Sequence, residues 1–197
     1  MPLRIAVIGQ SGEIGPKLRE LARRVGAAVA AAGAILFTGG RDGVMAAASQ
    51  GAREAGGVTV GILPGDDLGQ ANPYVDIPIT TGLTMEGRSQ VLIHTADAVV
   101  AVGGGNGTLG EISNAYLYRK PIVAVRGSGG WADRLQPVLI EGKYLDHRRL
   151  VAIRFASDPE EAVRLALELA GAAPAAGPAG GPPWDTVQGD VPAAGTR

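Results

Sequence analysis

The stretch Ala96–Val102 ends in five apolar residues without a polar break, Ala98-Val99-Val100-Ala101-Val102, and runs straight into Gly103-Gly104-Gly105. A strand that is apolar at every position must be covered on both faces, the condition of a central strand in a parallel sheet. Shorter apolar runs at Arg4–Ile8, Ala34–Phe37, Val58–Leu63, Val75–Thr80, Pro121–Val125 and Leu150–Phe155 read as further strands. Helical patterns lie between them. Leu18, Leu21, Ala22, Val25, Ala28 and Val29 recur at three- and four-residue spacing within Pro16–Ala32, with Pro16 suited to a first turn. Further helices are expected near Gly43–Ala55, over Thr84–Thr95, from the glycines to about Tyr118, and over Trp131–Leu145. A last one has Asp158 as N-cap, Pro159 in the first position and Glu161 completing a capping box. Asp66–Pro73 reads as a surface loop. Strands alternating with helices define an α/β chain with a mainly parallel sheet and helices on both faces.

Glycine is abundant, 31 of 197 residues, about 16% where ~7% is ordinary. Part of the excess lies in residues 171–197, which hold 6 Gly, 5 Pro and 7 Ala with one aromatic, Trp184. Such a segment buries too little apolar surface to offset its ordering entropy, so a disordered tail is expected after a single domain over residues 1–170. The other 25 glycines belong to the domain. They cluster as Gly9/Gly12/Gly15, Gly39/Gly40/Gly43 and Gly103–Gly107, each joining a strand end to a helix start. Ligands of parallel sheets bind at the carboxyl ends of the strands. A loop without Cβ atoms lets the backbone approach a ligand, and the following helix offers N–H groups and a positive dipole end to an anion such as phosphate.

Composition narrows the chemistry. With no cysteine, disulfides, iron–sulfur clusters, cysteine zinc sites and thiol catalysis are excluded, and no metal centre is expected. Eighteen Lys and Arg nearly cancel nineteen Asp and Glu, which argues against a nucleic-acid-binding face. No apolar run reaches the ~20 residues of a membrane span, and Met1-Pro2-Leu3-Arg4 leads into too short an apolar stretch for a signal peptide. A soluble cytoplasmic protein is expected. Gly105-Asn106-Gly107-Thr108-Leu109-Gly110 has the G-x-G-x-x-G spacing of dinucleotide sites, but Arg126-Gly127-Ser128-Gly129 stands where an acidic ribose ligand belongs. Gly9-Gln10-Ser11-Gly12-Glu13-Ile14-Gly15 has the wrong spacing for that motif, and no Walker-type loop occurs. There is no H-E-x-x-H or G-x-S-x-G, and His94 and His147 read as structural or surface residues.

Three segments carry a resemblance. Gly103-Gly104-Gly105-Asn106-Gly107-Thr108-Leu109-Gly110-Glu111 resembles the P-G-G-x-G-T-x-x-E signature of the LONELY GUY (LOG) family, the superfamily that includes proteins called possible lysine decarboxylases and, nearby, the molybdenum cofactor carrier proteins. Thr38-Gly39-Gly40-Arg41-Asp42-Gly43-Val44-Met45 resembles its G-G-x-x-G-L-M loop, and Met85-Glu86-Gly87-Arg88 its M-x-x-R segment. The likeness runs from about Arg4 to Arg164. It implies a Rossmann-like domain, usually a homodimer or higher homo-oligomer, that binds a nucleotide or other phosphate-bearing ligand with no required cofactor.

The LOG enzymes are phosphoribohydrolases, which split a nucleoside 5′-monophosphate into free base and ribose 5-phosphate. By position, the resemblance implies Glu111 and Arg88 as the catalytic pair. It implies that Gly104, Gly105, Gly107 and Thr108 hold the phosphate; Gly9, Ser11, Gly39, Gly40, Gly43, Met45, Gly103 and Asn106, in the same glycine loops, complete the expected phosphate and nucleotide site. The residue types suit the reaction: breaking a ribosyl–base bond builds positive charge on the sugar, and a carboxylate beside it stabilises that charge and activates water. An arginine can orient the carboxylate or clamp the phosphate. The motif's leading proline is Gly103 here, its usual Lys after the arginine is Ser89, and Gly87 stands where a Glu usually precedes. Glu86, one place earlier, would point elsewhere on a helix. These departures set the chain apart from the cytokinin-activating enzymes and nearer the bacterial branch with the cofactor carriers, so a non-catalytic carrier or sensor is the alternative. Pyridoxal-phosphate decarboxylation finds no support, because Lys17, Lys120 and Lys143 all lie outside the glycine loops. Tyr116 and Tyr118 could serve a dimer interface or pack locally.

Overall fold

The computed structural model describes residues 1–172; the expected disordered tail falls, apart from Gly171 and Ala172, outside the described residues. Seven strands form one sheet: β1 (Arg4–Gly9), β2 (Ile35–Thr38), β3 (Thr59–Leu63), β4 (Ile77–Thr80), β5 (Ala98–Val102), β6 (Ile122–Val125) and β7 (Ile153–Ala156). Every pairing is parallel, in the order β4-β3-β2-β1-β5-β6-β7. Six helices connect them: α1 (Pro16–Ala31), α2 (Val44–Glu54), α3 (Met85–Thr95), α4 (Asn106–Leu117), α5 (Gly130–Arg134) and α6 (Pro159–Ala172). This is the expected α/β, Rossmann-like architecture.

The apolar run of β5 is explained by its two faces. Ala98, Val100 and Val102 join the core under α1, α2 and α6, while Val99 and Ala101 join the core under α3 and α4. Asp97, before the strand, instead pairs with Arg4 at 2.7 Å, tying the starts of β5 and β1 together. Asp158 caps α6 by accepting from the Glu161 N–H at 3.1 Å. Tyr116 is buried on the α4 side, its hydroxyl bonding Asp146 and the Leu150 N–H, so it packs locally.

One expected element is corrected. Trp131–Leu145 is not a single helix: α5 ends at Arg134, a 3-10 turn covers Gln136–Val138, and Ile140 pairs with Tyr144 around a tight turn. Pro137 has no N–H to continue the ladder. Glu141 and Gly142 take φ of 55° and 64°, which a right-handed helix cannot contain.

Candidate active site

The chain leaves β1 to build β2, β3 and β4 on one side, then returns across to place β5 on the other side of β1. Gly9 and Val102 therefore end side by side, and the loops beyond them diverge. This is the topological switch point at which parallel sheets open a crevice. A cavity of about 490 Å³ lies there, within the range of small-molecule sites. Its walls are Gly9, Gln10 and Ser11 after β1, Met45 of α2, Met85–Gln90 of α3 apart from Gly87, and Gly105–Thr108, Gly110, Glu111 and Asn114 leading into and along α4.

The glycines here fall into two groups. One group is required by the protein's own packing. A Cβ on Gly9 would lie 2.5 Å from the Val102 carbonyl oxygen, and one on Gly43 would lie 2.3 Å from that of Gln10. On Gly39 it would lie 1.8 Å from Nη1 of Arg88. Gly103 and Gly104 have φ of 63° and 102°, and their carbonyls accept from the N–H groups of Ala132 and Trp131 at the start of α5. The second group has no such reason. A Cβ on Gly105, Gly107 or Gly110 would meet nothing within 4 Å, none has a positive φ, and all three face the cavity. No side chain caps the start of α4, so the N–H groups of its first turn are unclaimed by any capping side chain.

Arg88 and Glu111 meet at the cavity from opposite helices. α3 is started by Thr84, whose hydroxyl accepts from the Gly87 N–H, and it turns Arg88 inward until only 3% of the residue is exposed. Its Nε is buried without a hydrogen-bond partner among the described residues. Burial pulls the guanidinium's pKa down, opposed by the charge of Glu111 and reinforced by that of Arg41; an arginine nonetheless stays charged in a protein. Glu111 is 8% exposed. Burial pushes its carboxyl above the ordinary 4.5, against the Ser89 hydrogen bond and the charge of Arg88, which pull it down. Ser89 Oγ donates to Glu111 Oε1 at 2.9 Å. A buried cation and a buried carboxylate thus share one cavity, and the carboxylate has an oxygen to spare.

Of the residues singled out in the sequence, Gly9, Ser11, Met45, Arg88, Gly105, Asn106, Gly107, Thr108 and Glu111 line the cavity together. Gly39, Gly40, Gly43, Gly103 and Gly104 do not; they shape the walls from behind. Glu86 lines the rim with Arg88, contrary to its expected direction, because the cavity wraps around the start of α3 rather than facing one stripe of it. Gln10, Met85, Ser89, Gln90, Gly110 and Asn114 also line it and were not singled out. Asn114 carried a usable signal, one turn beyond Glu111 on α4, whereas Gln90, two residues beyond Arg88, carried none. Neither His94 nor His147 lines the cavity; His94 is exposed and packs at a tilt of 53° against Tyr118 with ring centroids 4.2 Å apart. Lys120 donates to the carbonyls of His94 and Ala96, a structural role. Among the described residues no cluster of three His, Cys, Asp or Glu could hold a metal ion, and no helix is long and apolar enough to cross a membrane.

The chain is similar to several known proteins. A cytokinin riboside 5′-monophosphate phosphoribohydrolase of Mycobacterium tuberculosis is 35% identical over 130 residues, covering 61% of this chain and 69% of that protein. An uncharacterised protein of Archaeoglobus fulgidus is 36% identical over 162 residues, covering 82% and 92%. Among solved structures, the molybdenum cofactor binding protein of the phototrophic bacterium Rippkaea orientalis superposes with a TM-score of 0.74 at 32% identity, covering 86% of this chain and 98% of that one. Residues 2–163 match the SLOG cluster4 family, and the chain belongs to that family.

Proposed function

We propose that the cavity binds a nucleoside 5′-monophosphate and hydrolyses its N-glycosidic bond, releasing free base and ribose 5-phosphate. The observation that carries this reading is the arrangement of Arg88 and Glu111. Both are buried, both face one cavity, and the buried Nε of Arg88 has no partner among the described residues. An unpaired buried donor is costly, and an anionic or hydroxyl-rich ligand would relieve it. The phosphate is received by the first turn of α4, where Gly105 and Gly107 leave the backbone uncovered. That fixes the ribose over Glu111. As the bond to the base lengthens, the carboxylate stabilises the positive charge growing at the sugar carbon. It then takes a proton from the attacking water. The hydroxyl goes to the sugar carbon, the bonding pair leaves with the base, and the proton that Glu111 takes from the water is passed on, through solvent, to the departing base. Arg88 holds the sugar phosphate and offsets the charge of Glu111.

The likeness in fold to a molybdenum cofactor binding protein, over 98% of that chain, favours a second reading, a carrier that holds a phosphate-bearing cofactor in the same cavity without turnover. One panel separates the two. Nucleoside monophosphates are assayed together for base release and for thermal shift, in wild type and Glu111→Ala. Base release abolished by Glu111→Ala supports the hydrolase. Thermal stabilisation without product, unchanged in Glu111→Ala, supports the carrier.

A further inference from the structure

We propose that Ser89 is the positioning residue of the carboxylate: its hydroxyl holds Oε1 of Glu111 and so selects Oε2 as the oxygen that faces the sugar and the water. This assignment deepens the hydrolase reading and, in its catalytic part, rests on it.

The geometry is specific. Ser89 follows Arg88 on α3 and lines the same cavity. A carboxylate only accepts, so the hydroxyl hydrogen in the 2.9 Å contact belongs to Ser89 and points at Oε1. This is the sole side-chain hydrogen bond that Glu111 makes among the described residues. Oε2 is therefore left to ligand or water. Without Ser89 the carboxylate is free to rotate about its last torsion, which is broad and two-fold for glutamate, and to present either oxygen or neither.

The bond also has an electrostatic role. Glu111 sits where burial favours the neutral acid, and a neutral acid neither stabilises a cationic sugar nor takes a proton from water. The charged groups around it are Arg88 on α3, Glu86 on the same helix at the rim, and Arg41 beyond β2, whose charge acts on Arg88. Arg88 draws Glu111 toward the ionised form by its charge, but among the described residues the two do not close an ion pair. Ser89 is thus the one direct contact that keeps Glu111 charged. One helix supplies both the cation and the hydroxyl that hold the carboxylate of its neighbour.

The test compares wild type, Ser89→Ala and Ser89→Thr in the full chain, alone and with Glu111→Gln. Thermal unfolding is followed from about pH 4 to pH 8. Glu111 binds its proton more tightly folded than unfolded, so stability falls as pH rises from the ordinary carboxylate range through the raised folded value. Removing the hydroxyl raises that folded value further. The Tm gap between wild type and Ser89→Ala should therefore widen as pH rises, close in Ser89→Thr, and lose its pH dependence in the Glu111→Gln background. A gap independent of pH, or unchanged by Glu111→Gln, would overturn the assignment. With a monophosphate that is turned over, Ser89→Ala should move the acidic limb of the base-release profile up by about one pH unit and lower kcat more than KM changes. Ser89→Thr should restore both. An unmoved acidic limb also overturns it. A pH-dependent gap with no base release from any monophosphate would overturn the hydrolase reading and the catalytic part of the assignment, leaving Ser89 as the residue that keeps Glu111 ionised.

Discussion

Gly107→Ala should stabilise the free protein and cripple the site, a combination that only a ligand-reserved glycine produces. Gly107 is the second residue of α4, has no positive φ, and a Cβ there would meet no atom within 4 Å. Alanine accordingly fits without strain and reduces the freedom of the unfolded chain, a gain of roughly 0.4–1 kcal/mol. Unfolding entropy near 2.1 cal/mol/K per residue over a domain of this size gives a Tm rise of roughly 1–3 °C. The bound state reverses the sign. The methyl would occupy the space through which a phosphate reaches the first-turn N–H groups. A ligand at 100 Kd adds about 2.7 kcal/mol to the wild type; a hundredfold loss of affinity leaves about 0.4 kcal/mol at the same concentration. Differential scanning fluorimetry with and without a stabilising monophosphate measures both numbers. A variant that melts below wild type, or keeps the full ligand shift, refutes the division of glycines into packing-required and ligand-reserved.

Two further outcomes follow from the other group. Gly39→Ala would put a Cβ 1.8 Å from Arg88 Nη1 and 2.6 Å from Met45 Sδ; it should displace the guanidinium and lower kcat/KM at least tenfold in a base-release assay while the circular dichroism spectrum stays that of the wild type. Gly26→Ala would put a Cβ 1.9 Å from the backbone oxygen of Ala48 where α1 crosses α2; it should destabilise by about 1–3 kcal/mol, seen as a lower midpoint in urea, with ligand affinity unchanged.

The local signals in the chain were strong where the physics is local. An apolar run that needs cover on both faces can only be a central strand, and β5 is one. A proline in the first turn and an aspartate cap start α1 and α6 as expected. The reading of Trp131–Leu145 as one helix failed because apolar spacing outweighed Pro137 and the Glu141-Gly142 turn, both visible in the sequence. Cavity residues on α3 and α4 were legible through Arg88 and Glu111, which the motifs mark. Ser89 stands out in the sequence only as a departure from the motif, since a lone serine in a helix carries no sign of its partner twenty-two residues away.

The parallel α/β architecture and the glycine loops at the strand ends are written locally in the chain, and the motif resemblance marks Arg88 and Glu111, which share the cavity. What each glycine is for depends on the packed fold. Gly26 and Gly51 sit inside helices, and the absent Cβ lets α1 and α2 touch backbone to backbone; the glycine excess is therefore not confined to loops. Gly39 makes room for Arg88, while Gly105, Gly107 and Gly110 face open space. A glycine in a sequence reports only that a side chain is missing, and the neighbour that would have met it is set by strands and helices distant along the chain.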